Sequence, residues 1–589
     1  MAIVEITAFA RLVIILWLPG LSWILLFDQY RAQNFLETFV LSFSASLSLL
    51  SLGLGLGSLL EISSTAWVVP VCAIAFVGAL IVRAHGLRAR PSIPRGSTAE
   101  LGLLTLLLGQ LVLLLLYFWK YPIFHNTNTQ DPLIHTEIVQ NILETGGVGL
   151  LNQINYTPAL HFIVALIVKS SSDEPLVTMR LYVIFLELMT VLLVYVTAAK
   201  LFSKKAAIIA SFAYAFAIPV GVIHLMGPGT YANMLGDFQS LAAIYYLHRA
   251  VESRRLGEYV TLTLAGGGLV LSHPSSMILL TYAWMFSFVI LLSHRENLMT
   301  YLKAICATTA VPAIGFFAFP RLAFRVTEVF MNSITFPTPL SLIIEVYFRN
   351  VAFFLGIPAY LIVASTFLIY CWKTRDHTGS FEPKRTIWIA FLLGWFFYVS
   401  ILSIQGNEIW RLVLCSMVPG AFIIAESVES LSAMRIKALD NASNRSLRQV
   451  LRPVLVLGIL VLVLATSSAP WFFGEILGPG KRERQIAIYE SMRWARENTQ
   501  DDDLFASTRL PEYQYLRVVA HRRLLKNFDL PPDKMIEIVA GLEVRYACVP
   551  TKELEQNKSS TELRMVFRND YVTVLEIPRG HRQSISFGT

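Results

Sequence analysis

The chain has 589 residues, 55% of them hydrophobic and only 15% charged, with a mean hydropathy of +0.58. A soluble protein of this size does not carry so much apolar sequence, so the composition specifies a polytopic α-helical membrane protein. The net charge of +8 is no nucleic-acid footprint, because the basic residues sit in short loops between apolar spans, where they set topology and meet anionic lipid.

Spans of roughly 17–25 apolar residues recur from near the N-terminus to about residue 471. They fall near 9–27, 36–60, 64–83, 101–118, 177–199, 206–224, 236–250, 258–272, 275–292, 303–320, 350–371, 386–404, 412–430 and 453–471. That is about 13–14 transmembrane helices by the length criterion. The first, Leu12 to Phe27, is broken by Pro19-Gly20 and lacks a small-residue cleavage site, so it is expected to be retained. Five cysteines, Cys72, Cys306, Cys371, Cys415 and Cys548, show no paired spacing and indicate neither a zinc site nor a disulfide framework.

Basic clusters then test the order of the spans. Arg83 to Arg95, Lys200 to Lys205, Arg249 to Arg255, Arg295 with Lys303, Lys373 to Arg385, and Arg435 to Arg452 all fall on one side if the spans alternate. By the positive-inside rule that side is cytoplasmic. The opposite face receives a long loop at 119–176, the segment 225–236, the His273-Pro274 turn, 321–349, Gln405 to Arg411, and everything after about residue 475. The expected domains are an N-terminal accessory transmembrane module (1–98), a transmembrane core (99–474) and an extracytoplasmic soluble α/β domain (475–589). In the last, charged amphipathic sequence alternates with short β-rich runs at Tyr546–Val549 and Tyr571–Ile577.

The unusual polar chemistry therefore lies outside. In the first outer loop, FHNTNTQDPLIHTEIVQNILETGG places Asp131, His135, Glu137 and Glu144 on a loop followed by a helix, with Asp131 and His135 on one face. Asp131 reads either as a catalytic or cation-binding acid at a helix N-terminus, or as the helix cap, with Pro132 at the first helical position. Glu137 and Glu144 read as the wet face of that helix. Tyr156-Thr-Pro158 then leads into Phe162–Val168, too short to span and expected to be interfacial or re-entrant.

In the second outer loop, Tyr231 and Asn233 precede Asp237, which reads either as an acid sharing a cation with Asp131 or as a cap on the next span. His273 before Pro274 reads as a contact to phosphate or sugar hydroxyl, or as a partner for carbonyls that the proline frees. Arg411 suits a lipid phosphate at membrane depth, or snorkels beside Glu408. Glu187 lies well inside a span and must pair inward, with Arg180 or with another helix, in a structural role.

Three stretches resemble the GT-C superfamily of polytopic glycosyltransferases, which use polyprenyl-phosphate-linked sugars. The resemblance is nearest to the catalytic subunit of oligosaccharyltransferase. Its motifs correspond to Asp131-Pro132 through Gly146 with Tyr156-Thr-Pro158, to Gly229–Asp237, and to Trp494-Ala-Arg-Glu-Asn498-Thr499 followed by Asp503–Ser507. The chain departs where the Trp-Trp-Asp-Tyr-Gly motif of that subunit should stand and has Thr508-Arg-Leu-Pro-Glu-Tyr513 instead. The resemblance implies a GT-C enzyme that does not depend on the glycosylation sequon.

It further implies that Asp131 is the general base, or else a metal ligand with Asp237 where a divalent cation (Mg or Mn) assists, and that Arg411 holds the donor phosphate. His135, Tyr156, Tyr231, Asn233 and His273 would line the pocket. The donor would be a polyprenyl-phosphate-linked sugar and the acceptor a glycan, lipid or protein, at the plasma membrane of a prokaryote. The alternatives are an oligosaccharide transferase or polymerase, and a non-catalytic binder or transporter of a lipid-linked saccharide.

Overall fold

The computed structural model describes residues 15–24, 35–60, 98–123, 131–147, 157–171, 174–217, 231–273, 295–318, scattered positions at 77–78 and between 341 and 478, and 481–577 apart from 541 and 557–562. The expected spans at 275–292, 350–371 and 386–404 lie outside the described residues. Two compact units emerge. One comprises 1–114, 141–225 and 230–475, the other 115–140, 226–229 and 476–589.

The first unit is helical. Its described helices are α1 (Phe35–Leu59), α2 (Thr98–Lys120, whose last turns belong to the second unit), the C-terminal end of α3 (Asp131–Thr145), α4 (Ala159–Ser171), α5 (Pro175–Leu201), α6 (Lys204–Phe212, running into a π-turn at Ala213–Ala217), α7 (Tyr231–Ser253), α8 (Leu256–Ser272) and α9 (Arg295–Ala318). Among the described residues, three helices are long and apolar enough to cross a membrane: Phe35–Ser58, Ala99–Lys120 and Pro175–Leu201. Their surroundings differ. The apolar window of α5 is 89% buried, whereas that of α2 is 28% buried. Leu101, Leu104, Leu108, Val112 and Leu115 form the exposed stripe of α2, at the three-to-four spacing of a helix face turned to lipid.

Local chemistry starts and joins these helices. Pro175 opens α5, where its missing N–H costs nothing, and the Ser203 side chain accepts from Ala206 N at 3.1 Å to cap α6. α8 packs against α1, α7 and α9, and its Ala-Gly-Gly-Gly run explains how. A Cβ at Gly266 would stand 2.5 Å from Thr308 O of α9, and one at Gly268 would stand 2.6 Å from Ser48 Oγ of α1. Small residues thus let backbones approach where the hydrophobic effect between helices is absent. The expected short helix is α4, buried from Ala159 to Val168 and, at 13 residues, only about 20 Å long.

The second unit carries the sheet. After α10 (Arg482–Asn498) come β1 (Leu504–Thr508), a 3-10 turn (Pro511–Tyr515), α11 (Leu516–Val519), β2 (Arg523–Phe528), α12 (Pro532–Ala540), β3 (Tyr546–Pro550), α13 (Thr551–Gln556), β4 (Arg564–Arg568) and β5 (Val572–Glu576). The strand order is β2-β1-β3-β5-β4, with β1 parallel to both β2 and β3, and β5 antiparallel to β3 and β4. Alternation along β1 and β3 sends Ala506, Ala547 and Val549 to a core with Met535 and Val539 of α12. The opposite face packs on α10, where Trp494 stands edge-on to Tyr546 at 6.1 Å. The result is a small three-layer α/β domain.

Candidate active site

α3 begins at Asp131, with Pro132 next, as the Asp-Pro pair predicts. Thr136 Oγ1 returns to Pro132 O at 2.7 Å, and His135, one turn after Asp131, is 2% exposed. Asp131 itself is half-buried, which leaves its carboxylate at the helix end that favours negative charge. Glu144 is exposed, as a wet-face residue should be. Glu137 is a correction in part: its Oε1 stands 3.5 Å from Arg517 Nε in the α/β domain, so it does more than face water. The neighbouring Gln140 Nε2 donates to Val518 O.

The helix ends on two glycines in the left-handed region, Gly146 (φ 71°) and Gly147 (φ 75°). There Ser58 Oγ of α1 donates to Gly147 O at 2.7 Å, and a Cβ at Gly147 would lie 2.7 Å from the Phe162 ring. Gly146, the glycine of the first-loop motif, is thus required by its backbone conformation, and Gly147 by its backbone conformation and by the approach of α4.

The second-loop residues belong to the first unit, and here the structure corrects the sequence. Tyr231, Asn233 and Asp237 are not in a loop: α7 starts at Tyr231, and Asp237 sits in its second turn, 5% exposed. It therefore cannot cap the next span. Asn233 and Asp237, four residues apart, share one helix face, and Asn233 is also 5% exposed. Asp237 lies within coulombic range of Glu187 and Tyr214, and Tyr231 within that of Arg180.

Glu187 is held by Gln110 Nε2 at 2.8 Å and Tyr214 Oη at 3.2 Å. Its partners come from α2 and the π-turn rather than from Arg180, which lies about two helical turns away along α5. Gln110 and Tyr214 had no local signal, because each meets Glu187 only through tertiary packing. Arg180 is 1% exposed, among the largest fully buried side chains of the chain.

Thr157 Oγ1 donates to Ser272 O at 3.0 Å. That bond ties Thr157 to the end of α8, where His273 has its N–H on Leu269 O. Tyr156 and Arg411 lie outside the described residues. In the α/β domain, the Trp494–Thr499 motif builds a helix-to-strand turn. Asn498 Nδ2 returns to Trp494 O at 2.9 Å, and the buried Arg522 donates to Thr499 Oγ1 at 2.7 Å. Where the sequon-reading motif would stand, Tyr513 is buried 2.7 Å from Ser491 Oγ. Among the described residues, no group of three or more His, Cys, Asp or Glu side chains could hold a metal, so a cation on Asp131 or Asp237 needs ligands beyond them.

The described residues define the class: a mostly helical protein, three of whose helices are long and apolar enough to cross a membrane, followed by a small α/β domain. Residues 155–319 match the family model described as Dolichyl-phosphate-mannose-protein mannosyltransferase. Among solved structures, the chain is similar to the Archaeoglobus fulgidus oligosaccharyltransferase in its apo form, at 16% identity over 77% of this chain and 70% of that one, with a TM-score of 0.48. The archaeal oligosaccharyltransferase AglB from the same organism, in complex with an inhibitory peptide and a dolichol-phosphate, aligns at 14% identity over 77% and 70%, with a TM-score of 0.47. ArnT from Cupriavidus metallidurans, bound to undecaprenyl phosphate, aligns at 13% identity over 82% and 99%, with a TM-score of 0.42. No curated protein sequence matches the chain.

Proposed function

We propose that the chain is a membrane glycosyltransferase that moves a sugar from a polyprenyl-phosphate-linked donor to an extracytoplasmic acceptor. The observation that carries this reading is the family match over residues 155–319, beside an outer-loop motif whose acid, Asp131, opens α3.

In the reaction, an acceptor hydroxyl oxygen bonds to the anomeric carbon while the bond from that carbon to the phosphate oxygen breaks. Asp131 takes the hydroxyl proton, and the polyprenyl phosphate leaves with the bonding pair. Arg411 holds the departing phosphate bidentately, and the simplest course is inversion. His135, Tyr156, Tyr231, Asn233 and His273 line the pocket. Asp237, with Asn233 on its own helix face, supplies the second acid for a divalent cation, should one assist. The acceptor is a glycan, lipid or protein, and the site faces outward from the plasma membrane of a prokaryote.

Asp131→Asn tests the reading. Transfer from a polyprenyl-phosphate sugar is expected to vanish while the purified protein keeps its melting temperature; full activity would overturn the assignment. A second reading, a non-catalytic translocator of lipid-linked saccharide, draws on the buried polar group of Gln110, Glu187 and Tyr214 inside the bundle. Proteoliposomes that flip the saccharide without transferring it would favour that reading.

A further inference from the structure

The loop that ends in Asp131 is fastened to the α/β domain at two places, one on each side of that residue. On the near side, the chain leaves α2 at Lys120, and the N–H of Ile123 donates to Gln485 Oε1 of α10 at 3.3 Å. Gln485 is 3% exposed and Ile123 9%, so this donor is removed from water and would be left unsatisfied without the glutamine. Arg482, one turn earlier, donates to Trp119 O at 3.1 Å and lies over the Trp119 ring with its guanidinium 3.7 Å from the centroid.

On the far side, Gln140 Nε2 donates to Val518 O in α11. The adjacent Arg517–Glu137 pair adds little, because the Arg517 side chain is 73% exposed and screened by solvent. Arg482 meets the Trp119 carbonyl at the surface, where Trp119 is 63% exposed, so the two holds on which the placement rests are both glutamines. They act in opposite senses: Gln485 accepts, Gln140 donates. Neither titrates, so the hold does not loosen with pH.

We infer that Gln140 and Gln485 are positioning residues, through which the α/β domain sets the place of α3 and with it of Asp131. This inference rests on the catalytic reading of Asp131. The geometry of a reacting group is sensitive to such holds, since a misplacement of about 1 Å can cost on the order of 100-fold in rate.

The opposite polarity of the two bonds gives the test. Gln485→Glu keeps an acceptor and Gln485→Lys removes it; Gln140→Lys keeps a donor and Gln140→Glu removes it. In the full-length protein, turnover at saturating donor, the KM for a polyprenyl-phosphate sugar, the melting temperature and amide hydrogen exchange over 123–145 would be measured for all four. Gln485→Lys and Gln140→Glu are expected to raise exchange at Ile123 and in α3 respectively. Both are expected to lower turnover by about 10- to 100-fold with the donor KM within about twofold. Gln485→Glu and Gln140→Lys are expected to match the parent.

Unchanged exchange in the disruptive pair, or raised exchange with unchanged turnover, would overturn the inference. Loss in all four variants alike, with a lowered melting temperature, would reduce both residues to structural ones and also overturn it. Activity surviving in Asp131→Asn would instead bring down the catalytic reading, and the positioning role with it, while the exchange data would still report the two anchors.

Discussion

Gln110 Nε2 donates to Glu187 Oε1 at 2.8 Å, and both side chains are almost wholly buried, Gln110 at 0% and Glu187 at 1% exposure. The bond joins α2 to α5 at a depth where a lone carboxylate is expensive. Gln110→Leu strips Glu187 of one donor and leaves the one from Tyr214. The expected cost is about 1–3 kcal/mol, read as a lowered melting temperature of the purified protein. Glu187→Gln keeps an acceptor oxygen for either partner and is expected to be much milder. Equal losses in the two variants would contradict this account.

Gly147 predicts a sharper local effect. At φ 75° an alanine is strained, and its Cβ would meet the Phe162 ring at 2.7 Å. Gly147→Ala is expected to destabilise the protein by about 1–3 kcal/mol, the cost of holding a non-glycine residue in a sparsely populated backbone region. Pairing it with Phe162→Leu relieves the clash but not the backbone strain, so a partial recovery in a thermal melt is the expected outcome. Complete recovery would mean that sterics alone fix this glycine.

Much of this was legible in the sequence, and the reasons are physical. Apolar runs long enough to span, and the Asp-Pro start of α3, are local signals, and both are met in the described residues. So are β3 and β5, whose β-rich runs stand out from their surroundings. Tyr231, Asn233 and Asp237 were misplaced because Gly227-Pro-Gly reads as loop and drew them into it, whereas all three lie in α7. β2 was not visible because RLLKNF is a largely exposed edge strand without clean alternation. The hold on Glu187 spans 77 residues of sequence to Gln110, a distance over which no periodicity speaks.

Arg249 anchors a buried charge network. Its Nη2 lies 2.6 Å from Glu258 Oε1 and its Nη1 lies 3.5 Å from Glu37 Oε1, while Tyr245 Oη also donates to Glu37. The side chains of Glu258 and Arg249 are only 2% and 13% exposed. Arg249→Met removes the ion pairs of two carboxylates and is expected to cost about 3–5 kcal/mol, the range for breaking a buried pair from one side. Glu258→Gln leaves Arg249 with Glu37 and should cost less, and the double variant should recover part of the loss. By contrast, Lys204→Ala removes a pair to Glu100 whose lysine is 60% exposed, and is expected to cost no more than about 1 kcal/mol. Chemical denaturation of the four variants checks the ranking.

Cys548 sits in the middle of β3 with no exposure, and burial pushes its thiol from 9.0 up to about 12, a hydrogen bond with Tyr513 acting more weakly the other way. Tyr513, equally buried, is also raised well above its ordinary 10.0, first by the same loss of solvation. In both groups the fold keeps a proton that the unfolded chain releases, so stability is full below about pH 8.5 and falls as pH rises through the alkaline range. The thiolate is the reactive form, and a rise of this size lowers its population in neutral solution about a thousandfold. With Cys72, Cys306, Cys371 and Cys415 replaced by serine, a maleimide at pH 7.5 is therefore expected to leave the native protein unlabelled and to label it rapidly in guanidinium. Cys548→Val, which removes a proton-binding site of the unfolded thiol but leaves Tyr513 in place, should reduce the alkaline loss of stability without abolishing it. Rapid labelling of the native protein would show the β3 thiol to be open to solvent and the alkaline prediction to be wrong.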